Sequence, residues 1–179
     1  MDQFAENICD IVREISTRYG EGISGWWFDS GYSVDPRGVV NTITTNMSDW
    51  LFPWEKLVAA AEAGNPNTAI TINSGIGEHF RYYDAIDYWA GEMNKLDDMP
   101  ICEMDDIQQT RWLPIEGAPW VLGDHCIEFL PTAYEKEEIK RYLDVQLKSG
   151  NMVTFNVLTD MDGTLNPMIV DLFDNIQKV

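Results

Sequence analysis

The chain has 179 residues, 45% apolar and 12% aromatic, enough for one domain with a substantial core. Its 30 acidic residues against 12 basic ones give a formal charge of −18, which disfavours nucleic acid and anionic membrane as partners, since both need a basic face. A neutral or cationic ligand is easier to accommodate.

Phe4, Ile8, Ile11, Val12 and Ile15 recur at helical spacing and predict an opening helix that closes at Tyr19-Gly20. This acidic, helical start does not read as a signal peptide, so the chain as given is expected in the cytoplasm. No apolar stretch approaches the roughly 20 residues that span a bilayer. "ISGWWFDS" then carries β-type residues up to Gly31 and reads as a strand, followed by a loop to about residue 50. "FPWEKLVAAAEAG" is a helix with Pro53 near its first turn and Gly64 past its end, and "NTAITINSG" is the next strand. Glu55 falls in that helix's first turn, where its charge complements the macrodipole.

The stretch from 75 to 135 has poor periodicity, with candidate strands at "MPICEMDD" and "DHCIEFL". The regular beat returns in the helix "AYEKEEIKRYLDVQLKSG", the strand "NMVTFNVLTD" and a last helix from "PMIVDLFDNIQKV". Alternating helices and strands predict an α/β fold with a parallel sheet, in one domain over 1–179. Cys9, Cys102 and Cys126 lack CxxC spacing and read as buried thiols. His79 and His125 form no helical pair, so no zinc site is expected. "TDMDGTLNP" has Leu158 where an EF-hand needs an acid, so it reads as a tight turn rather than a calcium loop. No metal or cofactor is implied.

In a parallel sheet ligands bind beyond the carboxyl ends of the strands. Those ends are polar here: Asp29, Asn73 with Ser74, Glu103 with Asp105, and Asn156. Alternation puts Asp29 on the face of Trp27, with Trp26 and Phe28 turned the other way into packing. Asp-Ser-Gly is also good turn chemistry, which is the plain alternative for Asp29. A carboxylate set among large aromatics, and so partly desolvated, suits a nucleophile or acid acting on a sugar. Such a reaction needs a second carboxyl group, and Glu92, Glu103 and Glu116 are the candidates. The loop tryptophans Trp89, Trp112 and Trp120 can stack on sugar rings or cover a core edge.

Taken together, "ISTRYGEGISGWWFDSG" resembles the strand-four region of α-L-fucosidases, glycoside hydrolase family 29, where a helix ending "YG" leads into a strand ending "WFDG". "LKSGNMVTFNVLTDMDGTLNP" is similar to that family's closing segment, matching at Gly150, Asn151, Asn156, Asp162 and Gly163. The resemblance implies that Asp29 is the nucleophile of a retaining glycosidase. It favours Glu103 in "ICEMDD" as acid/base, with Cys102 in place of the family's tryptophan and Glu92 and Glu116 as alternatives. Trp27, Asn73, Trp112, Trp120 and Asn156 would contact the sugar.

A (β/α)₈ TIM barrel takes about 250 residues. The implied architecture is therefore a partial barrel, roughly strands four to eight, with the N-terminal strands absent. Such a piece could self-associate or pair with a missing N-terminal half. For a full-length form the resemblance suggests a periplasmic, secreted or lysosomal location. Two other readings stay open: a catalytically silent fragment acting as a glycan-binding or assembly module, and a barrel glycosidase for another sugar.

Overall fold

The computed structural model describes residues 2–29, 52–73, 75, 84–96, 107–116, 129–160 and 162–176. They fall into two compact units, Met1–Gly91 with Met104–Gln108 and Glu92–Glu103 with Gln109–Val179. Helices and small parallel sheets make up both.

The first unit opens with helix α1 (Asp2–Tyr19) and a 3₁₀ turn at Gly20–Gly22. Strand β1 (Gly25–Phe28), helix α2 (Trp54–Ala61), strand β2 (Ala69–Ile72) and the short strand β3 (Tyr88–Trp89) follow. β1 and β2 run parallel with Phe28 opposite Ile72. A parallel pair needs a crossover, and α2 lies within this one. One face of the pair is apolar: Trp26 and Phe28, their rings stacked at 5.5 Å, pack with Ile70 on Cys9, Val12, Leu57, Ala60 and Ala61. The predicted division of the aromatics therefore holds, with Trp26 and Phe28 fastening β1 to the helices.

The buried stripe of α1 is not simply its apolar one. Ala5, Cys9, Val12 and Ser16 face inward, whereas Phe4, Ile11 and Ile15 are 55%, 54% and 38% exposed. The physical reason is the close approach after α2. Ser16 Oγ donates to Ala61 O at 2.5 Å and accepts from Gly64 N at 2.9 Å. A Cβ on Gly64 would stand 2.0 Å from Ser16 O, so only glycine fits at position 64 without backbone movement. Gly64→Ala is expected to cost about 2–3 kcal/mol as backbone separates from backbone, read as a lower urea midpoint with unchanged slope.

In the second unit, strand β4 (Gln108–Pro114) pairs in parallel with strand β5 (Met152–Asn156), Thr110 opposite Met152 and Pro114 opposite Asn156. Helix α3 (Lys136–Lys148) lies between them in sequence, and helix α4 (Pro167–Ile176) ends the described chain. Ile115, Ile139, Ile169 and Leu172 form the core, joined by Phe155, Val157 and Phe173. The stretch before α4 is the tight turn that the sequence predicts: Gly163 N donates to Asp160 O, Asp160 N to Thr164 O, and Gly163 adopts φ +84°.

β4 itself is a strand that periodicity misses. Five of its seven positions are buried and Trp112 is half-buried, which erases the alternation of a half-buried strand. Trp89 and Trp112 accordingly stand on strands rather than in loops, and Trp89 is 3% exposed, too covered to serve as a platform. "MPICEMDD" and "DHCIEFL" up to Glu128 lie outside the described residues. No described helix is long and apolar enough to cross a membrane.

Candidate active site

The register of β1 and β2 decides where the first unit presents its chemistry. Asp29 and Asn73 each follow the last paired residue of a strand, and Asn73 N donates to Phe28 O at 2.7 Å, carrying the ladder one rung further. Both side chains fall on the face opposite the helices, with Trp27 and Thr71. Across this rung Asn73 Nδ2 donates to Asp29 Oδ1 at 3.0 Å. Asn73 is 1% exposed, and its Oδ1 accepts from Gly75 N at 3.2 Å.

Asp29 is exposed, so the expectation of partial desolvation by aromatics is corrected. Trp26 and Phe28 point away from it, and half-buried Trp27 donates from Nε1 to Ala90 O at 3.5 Å. A neighbouring amide, rather than an apolar wall, holds one of its oxygens.

The edge beside this face is also fixed. Asp87 Oδ2 accepts from Ile70 N and Asp87 N donates to Ile70 O, both at 2.8 Å, while Thr71 Oγ1 donates to Tyr88 O at 2.6 Å. Tyr88 OH donates to Trp26 O at 3.0 Å. Burial, reinforced by the negative charge of Asp87, pushes the Tyr88 phenol up to about 12, so it keeps the proton it donates.

In the second unit, Trp112 and Asn156 share a sheet face with Pro114 and Thr154, opposite the face on which Phe155 meets the helices. Glu92 is 8% exposed and bridges to Trp112 in parallel fashion. Glu116 is 2% exposed, accepting from Leu158 N at 3.0 Å through Oε2 and from Asn166 Nδ2 at 3.1 Å through Oε1. Asn166 also donates to Leu130 O and accepts from Met168 N, capping α4. Sequence reading passed over Asn166, although an asparagine just before Pro167 is a helix-start signal. Glu103 and Trp120 lie outside the described residues. Among the described residues no group of three His, Cys, Asp or Glu side chains could hold a metal ion.

Solved structures share this fold. The fold is one found in glycoside hydrolases. A variant of an endo-fucoidan hydrolase from glycoside hydrolase family 107 superposes with a TM-score of 0.69 at 17% identity, over 97% of this chain and 30% of its own. A second endo-fucoidan hydrolase of that family gives 0.64 at 12% identity, over 96% of this chain and 54% of its own. A bacterial fucosidase solved with a monovalent iminocyclitol inhibitor gives 0.60 at 19% identity, over 99% of this chain and 39% of its own. The chain thus spans between 30% and 54% of these neighbours' lengths. No family model and no curated protein matches the sequence.

Proposed function

We propose that the chain carries catalytic machinery of a retaining glycosidase acting on a terminal α-linked fucose or a similar sugar. The observation that carries this reading is Asp29: an exposed carboxylate at the carboxyl end of a parallel strand, held by a buried asparagine, in a fold found in glycoside hydrolases. The fucose configuration is favoured by the neighbours, two described as endo-fucoidan hydrolases and one as a fucosidase.

Asp29 attacks the anomeric carbon while a second carboxylic acid protonates the departing glycosidic oxygen, leaving a glycosyl ester on Asp29. The same acid, now a carboxylate, takes a proton from water. That water displaces the aspartate and restores the starting anomer. Glu103 is the favoured acid/base, with Glu92 and Glu116 as alternatives. Trp27, Asn73, Trp112, Trp120 and Asn156 are the candidates for contact with the sugar or for support of the groups that react.

The test is hydrolysis of an aryl α-L-fucoside followed by proton NMR. Turnover with α-fucose as the first-formed product is expected, and β-fucose appearing first would refute retention. A second reading is a glycan-binding or assembly module without turnover of its own. Size-exclusion chromatography combined with the same assay separates the two, since a folded monomer with turnover is incompatible with a silent module. Turnover only of another aryl glycoside would point to a different sugar.

A further inference from the structure

We infer that Asn73 is a positioning residue that orients the Asp29 carboxylate for attack, rather than a group that binds the sugar. The inference rests on the reading of Asp29 as nucleophile. An aspartate χ2 torsion is broad and roughly two-fold, so an exposed carboxylate at a strand end has no preferred plane of its own. Here the plane is set from outside. Asn73 Nδ2 anchors Oδ1 at 3.0 Å, and with one oxygen anchored the second is confined to a narrow arc.

The orientation of the amide is itself determined. Gly75 N can only donate, so the asparagine oxygen must face Gly75 and its nitrogen must face Asp29. Asn73 cannot drift either, because its side chain is 1% exposed and its own N–H is bound to Phe28 O at 2.7 Å, the residue before Asp29. The two side chains are thus tied twice, through the backbone ladder and through the amide. A side chain so buried and so committed is better placed to hold a carboxylate than to meet a substrate.

The decisive variant is Asn73→Asp, which keeps the shape and the acceptor for Gly75 N but replaces the donor facing Asp29 with a second acidic oxygen. Asn73→Ala accompanies it. Kinetics on an aryl α-L-fucoside are measured for each, and again for Asn73→Ala on an Asp29→Gly background supplied with azide as external nucleophile. Misplacing a reacting group by a fraction of an ångström to one ångström costs up to about 100-fold, so kcat is expected to fall by about 30-fold or more with KM within about threefold. On the glycine background with azide the added Asn73→Ala is expected to change the rate by less than about twofold, because no carboxylate remains to orient.

A raised KM with unchanged kcat would make Asn73 a sugar-binding residue and overturn the proposal. So would an equal loss on the glycine background, or wild-type kcat in Asn73→Asp. Circular dichroism confirms that each variant is folded before its kcat is compared. Should Asp29→Gly alone keep wild-type turnover, the nucleophile reading fails and this inference falls with it, an outcome distinct from the other three.

Discussion

Asp29→Gly is expected to lower kcat/KM on an aryl α-L-fucoside by at least about 10³-fold, and azide is expected to restore part of the lost turnover. Removing a nucleophile leaves substrate binding and the acid in place, so a small external anion can enter the vacated space. Azide then forms the C1–N bond as the aryl oxygen leaves, and the product is the fucosyl azide of inverted anomeric configuration. The plain turn reading of Asp29 predicts something different. Asp-Ser-Gly would tolerate Asp29→Asn, which keeps an oxygen to accept from Asn73 and turns just as well. Asp29→Asn is therefore the cleaner probe of charge, with stability within about 1 kcal/mol of wild type and turnover lost. Turnover within a few-fold of wild type in Asp29→Asn, with no azide effect in Asp29→Gly, would leave the aspartate a turn residue.

The first unit was readable because its signals are local. β1 and β2 end where their β-type residues give way to polar ones, and a parallel register then brings Asp29 and Asn73, 44 residues apart in sequence, to one rung. The helix α1 is legible from its spacing, but its buried face does not follow apolarity alone. Contact with the segment after α2 is instead ruled by how close two backbones come, and Ser16 and Gly64 come close. In the second unit β4 hides for another reason. Gln109, Thr110 and Arg111 are buried polar residues in a strand covered on both faces, so neither hydropathy nor alternation marks it. Arg111 is 1% exposed with Nη1 donating to Thr110 O and Nη2 to Gln109 Oε1, partners that lie within its own strand. Glu116 was legible only as an acid before a glycine, since what defines it lies 42 and 50 residues away.

Glu116→Ala is expected to cost about 4 kcal/mol, lowering the melting temperature by about 8–16 °C. The carboxylate is 2% exposed, and its loss strips Leu158 N and Asn166 Nδ2 of an acceptor where water does not reach. The loss propagates, because Asn166 caps α4 through Met168 N while also holding Leu130 O, and Glu116 fixes the side chain that does both. Glu116→Gln separates this structural work from acid/base chemistry. The glutamine amide offers one acceptor and one donor, so one of the two facing donors goes unpaired, at a cost of about 1–3 kcal/mol. If Glu103 is the acid/base, the folded fraction of Glu116→Gln keeps turnover within about tenfold of wild type, a loss that small misplacements around the site can account for. If Glu116 is itself the acid, the loss is far greater on a poor leaving group and largely disappears on a dinitrophenyl fucoside, whose departure needs no proton. A stability change with turnover spared assigns the residue to the fold, and a leaving-group-dependent loss assigns it to the chemistry.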